Sequence, residues 1–237
     1  MANASSPFFA GVQKLTLLDY PDKTACTLFT VGCNFACPFC QNPSLIAFAG
    51  GADSILPHEY IFDFLESRKG LLDGVCLSGG EPLANEGLFE FTRKVKEMGF
   101  LVKLDTNGSY PDRLKALAES GNIDYVAMDI KNTPEKYPET IGVSGYNAAV
   151  ILKSIEYLLS GKVPYEFRTT VVRDFHTADD LLSIARLILG TEKYYLQNFE
   201  NPERALRAGL CAYSDKEIRE ICELVREVLP CTRLRSV

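Results

Sequence analysis

The chain has 237 residues, 46% of them hydrophobic and 24% charged, and a formal net charge of −6 at pH 7. That length suits one large domain with a substantial buried core, and the acidic balance offers no general basic field for a phosphate backbone, which argues against a nucleic-acid partner. The first residues show no basic stretch leading into an apolar one, and nowhere do about 18 apolar residues run uninterrupted, so the expectation is a cytoplasmic protein with no membrane segment.

From about residue 24 onward, strand-like runs alternate with helical ones. TACTLFTV at 24–31 reads as a strand, PHEYIFDFLESRK at 57–69 as a helix, DGVCLSG at 73–79 as a strand, and the stretch through Phe89 and Val95 as a helix. The order repeats with the strand FLVKLDT at 100–106, the helix PDRLKALAES at 111–120 and the strand IDYVAMDIK at 123–131. Ile151, Ile155, Leu158 and Leu159 follow at helical spacing, and YEFRTTVV at 165–172 and EKYYLQNF at 192–199 bring the strands to about six. Thr177 and Asp180 stand three apart ahead of LLSIARLIL, and Ser214 and Glu217 form a capping-box pattern ahead of Ile218, Ile221, Cys222 and Val225.

Alternating β and α elements argue for a parallel sheet with helices on its outer face. About six βα units are too few for the eight-stranded barrel, so the expected fold is α/β, an open partial (β/α)6 barrel in preference to a flat doubly wound sheet. A single domain is expected over 1–237, with a lead-in at 1–23, the barrel core at 24–200 and a C-terminal helix and tail at 201–237. The polar clusters fall at strand ends: Cys33 to Cys40 after the first, Ser78 to Glu81 after the second, Asp105 to Gly108 after the third, Asp129 and Lys131 after the fourth. That placement is the catalytic rim of a βα barrel.

Cys33, Cys37 and Cys40 make a CxxxCxxC run within VGCNFACPFCQN. Soft thiolates select iron-sulfur clusters, zinc or copper(I), and three protein ligands on a cubane leave one iron open to bind and transform a ligand. Zinc needs a fourth ligand from Cys26, Cys76, His58 or a distant group. Cys26 and Cys76 lie in apolar strand runs, where a buried cysteine is usually a small hydrophobe. Cys211, Cys222 and Cys231 lack the spacing for a second cluster, and core packing is the expectation for them.

CxxxCxxC with the aromatic Phe39 before its last cysteine resembles the signature of radical S-adenosylmethionine (SAM) enzymes, and SGGEP at 78–82 resembles that superfamily's GGE motif. DTNG at 105–108, DIK at 129–131 and RTTVV at 168–172 are similar to segments of glycyl-radical activating enzymes such as those of pyruvate formate-lyase. GVQKLTLLDYPDK near the start and YLQNF at 195–199 look like the longer form of the anaerobic ribonucleoside-triphosphate reductase activating proteins. The resemblance implies a 4Fe-4S cluster on Cys33, Cys37 and Cys40 with SAM on its fourth iron. It further implies reductive cleavage to a 5′-deoxyadenosyl radical, and a glycyl radical installed on a partner enzyme, anaerobic ribonucleotide reductase. Reduced flavodoxin or ferredoxin is the implied electron donor. The SAM-contacting set so implied is Phe39, Gln41, Gly79, Gly80, Glu81, Asp105, Asn107, Asp129, Lys131, Arg168 and Gln197, and a monovalent cation is implied at Asp105, Thr106, the carbonyl of Ala127, and Asp129.

The residue types suit these roles. Gly79 and Gly80 carry no Cβ, so backbone can come close to the methionine end of SAM, and Glu81 is a fitting acceptor for its ammonium. Asp105 and Asp129 suit ribose hydroxyls, the sulfonium or a hard cation. Lys131 suits the SAM carboxylate or is a solvated strand-end lysine. Arg168 interrupts an apolar run and needs a partner, either SAM, Asp129 or Asp105. Gln197 serves SAM or loose backbone groups at the rim. Two departures stand out: Gln41 where these activators commonly have histidine, and Asp22 where the DYPG segment has glycine. Two other functions share some of these features. One is a radical SAM enzyme acting on a different small molecule or peptide, and the other is a zinc-stabilised binding module without turnover.

Overall fold

The computed structural model describes residues 8–47, 54–200 and 202–235. Two compact units divide the chain, the first comprising Met1–Asn34, Ser44–Thr106 and Asp112–Val126, the second Phe35–Pro43, Asn107–Pro111 and Ala127–Val237.

In the first unit, β1 (Phe9–Thr16) pairs antiparallel with β2 (Ala25–Thr30), and β2, β3 (Gly74–Gly79) and β4 (Leu101–Thr106) run parallel in chain order. Leu28, Val75, Leu77, Val102 and Leu104 are buried in these strands. Helix α1 (His58–Glu66) covers them with Ile61, Phe64 and Leu65, and α2 (Leu88–Glu97) with Leu88, Phe91, Thr92 and Val95. Offsets of three, four and seven residues put each set on one face of its helix. Helix α3 (Pro111–Glu119) begins in the second unit and buries Leu114 and Leu117. His58, one of the considered zinc ligands, packs among the rings of Phe9, Phe62 and Phe91.

Strand β5 (Tyr125–Asp129) begins in the first unit and ends in the second. In the second unit β6 (Tyr165–Val171), β7 (Tyr194–Asn198) and β8 (Thr232–Arg235) are parallel neighbours. The short α4 (Tyr137–Thr140) precedes α5 (Ala149–Leu159), α6 (Ala178–Leu187) and α7 (Asp215–Val228). Both helix starts read from sequence are capping boxes: the Thr177 and Ser214 side chains accept from the backbone N–H of Asp180 and Glu217, whose carboxylates accept in return. In α5 the packed face is Ile151, Ser154, Ile155 and Leu158. Ser154 takes the place foreseen for Leu159, because its hydroxyl donates to the Gly108 carbonyl at 2.7 Å.

All six expected strands are present as β2 to β7. The strands β1 and β8 go beyond the expectation. Most of β1 is half-buried or exposed, so it lacks a clean alternation, and β8 is four residues long with two arginines. Asp22 has φ +59°, and among the described residues it is the one non-glycine in the left-handed region. Aspartate tolerates that conformation better than most residues, so this position adopts a backbone angle that favours glycine without having one. The expectation that late cysteines pack in the core holds for Cys222, which is 1% exposed. It fails for Cys211, which is exposed on the segment after β7. Cys231 is half-buried and donates to the Thr191 carbonyl at 3.3 Å.

Candidate active site

The cysteine loop leaves the end of β2 in the first unit. Gly32 N–H donates to the Leu45 carbonyl at 2.8 Å and Cys33 N–H to that of Ile46 at 3.3 Å. Strand β3 ends beside it. Gly80 N–H donates to the Thr30 carbonyl at 2.9 Å and Glu81 N–H to that of Gly32 at 2.8 Å. A Cβ on Gly79 would lie 2.4 Å from the Thr30 nitrogen, and one on Gly80 would lie 2.1 Å from the Gly32 oxygen. Gly79 therefore admits the backbone at the end of β2 and Gly80 that of the cysteine loop, a tighter constraint than the approach of a ligand foreseen from sequence.

Glu81 is fully buried, and its Oε1 accepts from Leu83 N–H at 3.1 Å and from the Thr106 hydroxyl at 2.8 Å. The carboxylate thus starts the short turn Pro82–Ala84 and ties it to the end of β4. On β4 the Lys103 ammonium, 1% exposed, pairs with Oδ1 of Asp105 and reaches Sγ of Cys76 at 3.8 Å. Lys103 is a site residue that sequence reading missed, although a lysine inside the apolar run FLVKLDT was the signal for it.

The rest of the cysteine loop belongs to the second unit. Ala36 N–H donates to the Ile141 carbonyl at 2.9 Å, Cys40 N–H to that of Cys37 at 2.9 Å, and Arg207 N–H to that of Pro38 at 2.8 Å. Gln41 Nε2 donates to the Glu200 carbonyl at 2.7 Å, so the residue that departs from the histidine pattern pins the loop to the segment after β7. Phe39 is 4% exposed and packs on Phe175 and His176, with ring centroids 5.7 and 6.4 Å away.

Asp129, at the end of β5, accepts from Arg168 Nε at 2.8 Å and from Lys131 Nζ at 3.1 Å. Of the partners considered for Arg168, Asp129 is therefore one it has. Burial alone would raise the Asp129 carboxyl, but the Arg168 and Lys131 charges outweigh it and hold the group well below the usual carboxylate range. Burial likewise works against the Lys131 ammonium, and Asp129, with the Cys37 sulfur adding to it, holds its pKa above the ordinary lysine value. Lys131 is thus no solvated strand-end lysine.

His176, also missed from sequence, is fully buried behind this group. Its Nδ1 accepts from Val172 N–H at 3.1 Å, which leaves Nε2–H to donate to the Lys131 carbonyl at 2.7 Å. Burial pushes its pKa below the ordinary value, and the imidazole is neutral.

Asn107 is buried and its Oδ1 accepts from Ser109 N–H at 2.9 Å, forming the turn after β4. Ala127 is buried within β5, and Gln197 lies half-buried in β7 between Thr170 and Arg235. None of the eight cysteines forms a disulfide. Among the described residues no three His, Cys, Asp or Glu side chains gather into a finished metal cage. The donor chemistry still fits an iron-sulfur cluster, because three soft thiols lie within one eight-residue stretch without helix or strand.

The radical SAM superfamily profile matches residues 27–188. The chain belongs to the radical SAM superfamily. Along nearly its whole length this radical SAM protein is similar to a candidate glycyl-radical enzyme activating enzyme of Methanocaldococcus jannaschii. The two are 32% identical over 235 residues, which is 96% of this chain and 95% of the relative. It is also 26% identical to the pyruvate formate-lyase-activating enzyme of Clostridium pasteurianum, over 90% of this chain and 93% of that one. Among solved structures QueE from Escherichia coli superposes with a TM-score of 0.58 at 17% identity, over 98% of this chain and 93% of that one. These likenesses show the expected α/β fold of the radical SAM type, an open partial barrel. Superfamily membership makes the protein an enzyme with a 4Fe-4S cluster and SAM as cofactors, and sets aside the zinc-stabilised module. No helix among the described residues is long and apolar enough to cross a membrane.

Proposed function

We propose that this radical SAM enzyme activates a glycyl-radical enzyme, and that its partner is an anaerobic ribonucleoside-triphosphate reductase. The observation that carries the reading is the 32% identity to a candidate activator across 96% of the chain, with CxxxCxxC and GGEP standing in the matched span. The partner's identity is supported by the GVQKLTLLDYPDK and YLQNF segments. Reduced flavodoxin or ferredoxin is the proposed electron donor.

In this reading Cys33, Cys37 and Cys40 hold the 4Fe-4S cluster. When bound, cluster and SAM would supply one-electron cleavage of the sulfur–C5′ bond, giving methionine and a 5′-deoxyadenosyl radical, and it is this radical that would take a hydrogen from a partner glycine. The chain's own residues orient and shield. Gly79, Gly80 and Glu81 seat the cysteine loop and the methionine end of SAM. Lys131, kept charged beside Cys37, favours anionic sulfur nearby. Asp129, kept charged by Arg168 and Lys131, is an acceptor for hydroxyls. Phe39, Gln41, Asp105, Asn107 and Gln197 complete the proposed SAM contacts.

The test is anaerobic reduction of the cluster-loaded protein with SAM and the candidate reductase. Production of 5′-deoxyadenosine together with a glycyl-radical signal in electron paramagnetic resonance is expected, and both are expected to vanish in Cys40→Ala. SAM cleavage without a glycyl radical on any such partner overturns the activator reading.

A further inference from the structure

Asp105, Thr106, Ala127 and Asp129 are the residues whose resemblance implies a bound monovalent cation, yet each carboxylate already holds a cation of the chain's own. Lys103 precedes Asp105 by two residues, so the period of β4 puts both on one face. Its side chain is 1% exposed and its ammonium is ion-paired to Asp105. The same ammonium touches Cys76, its register neighbour on β3. In the second unit, Asp129 carries Arg168 at 2.8 Å and Lys131 at 3.1 Å. The Thr106 hydroxyl directs its proton to Glu81. An alkali ion added to a carboxylate already paired with a buried ammonium leaves excess positive charge where little water compensates it.

We propose that Lys103 is a built-in cation, its ammonium taking the place beside Asp105 that a bound alkali ion would occupy, so that the protein binds its cofactor without a monovalent ion. Lys103 acts through Asp105 and is a positioning residue. Its sequence position supports the assignment, since a lysine within an apolar strand has no water to reach and must find a carboxylate. The part of the proposal that concerns SAM rests on the function proposed above.

The experiment uses the full-length, cluster-loaded protein, held anaerobically in buffer whose only added monovalent cation is tetramethylammonium. The thermal midpoint without SAM and the affinity for SAM are measured before and after adding potassium or sodium. Wild-type protein is expected to be indifferent to the added ion in both readouts. Lys103→Met is expected to melt about 5–10 °C lower, to bind SAM about tenfold more weakly, and to recover part of each loss when potassium is added. Lys103→Met with Asp105→Asn, which removes both charges, is expected to melt above the single variant and to ignore the ion.

Wild-type protein whose SAM affinity rises about tenfold or more with potassium overturns the proposal, as does a Lys103→Met protein as indifferent to the ion as wild type. Should Lys103→Met fail to fold, the double variant decides: recovery of the fold supports the pairing, and failure overturns it. Wild-type protein that binds no SAM under any condition overturns the proposed function, while the melting comparison still decides the place of Lys103.

Discussion

Arg168 on β6 donates to Oδ1 of Asp129 on β5 at 2.8 Å, and Lys131 reaches Oδ2 of the same carboxylate at 3.1 Å. Two cations on one carboxylate leave a net positive strand end, suited to anionic partners such as thiolate sulfur or a carboxylate. Arg168→Met is expected to cost about 1–3 kcal/mol, below the full loss for a broken buried pair because Lys131 remains. Asp129 has a folded pKa below its unfolded value, so its contribution to stability is complete above about pH 4 and is lost as pH falls further. Thermal melting against pH is expected to show a shallower acid limb in the variant than in wild type.

Gly80 lies against the Gly32 carbonyl, with room for no Cβ. Gly80→Ala is expected to cost about 3 kcal/mol or more, since rigid backbone of the cysteine loop is what must move. Gly121, at φ +75° with open space around it, serves as the comparison. Gly121→Ala is expected to lose only about 1–2 kcal/mol through its left-handed backbone. Denaturant titration checks the order, and bound iron per chain is expected to fall only in Gly80→Ala.

His176 is held neutral by burial, with a folded pKa below the unfolded one. Its contribution is complete above about pH 6.5 and decreases as pH falls below that value, because the unfolded chain then takes up a proton first. His176→Phe is expected to cost about 1–3 kcal/mol at pH 7.5 through the hydrogen bonds lost at Lys131 and Val172. Melting at pH 5.5 and 7.5 is expected to differ less in the variant than in wild type.

Arg235 on β8 makes a two-pronged pair with the fully buried Glu166 of β6, at 2.6 and 2.9 Å, and its guanidinium lies 3.5 Å from the Tyr195 ring centre. Arg235→Met strands a buried carboxylate and is expected to cost about 3–5 kcal/mol. Adding Glu166→Gln is expected to restore at least half of that, read from urea midpoints of the single and double variants.

The cysteine loop, the GGEP turn and β2 to β7 were legible in the linear chain because each is a local signal. Thiolate spacing, a glycine pair and short apolar runs need no distant partner to be recognised. Helix faces such as Ile218, Ile221, Cys222 and Val225 were legible for the same reason, as were the boxes that cap α6 and α7. The edge strands β1 and β8 were not, because strands that are mostly half-buried or exposed, or only four residues long, carry too little apolar pattern.

The sequence by itself determined the chemistry on offer: three soft thiols in one loop, acidic strand ends, and a lysine and an arginine inside apolar runs. Tertiary structure decided how those charges are spent. Lys103 goes to Asp105 and Arg168 to Asp129, Glu81 turns to Leu83 and Thr106, and His176 stands behind Lys131. The physical reason is that a buried charge must be satisfied by whichever partner packing brings within about 3 Å. Lys103 and Asp105 share one face of a strand two residues apart, and burial makes their pairing obligatory, whereas Arg168 and Asp129 meet across strands, where linear spacing carries no information.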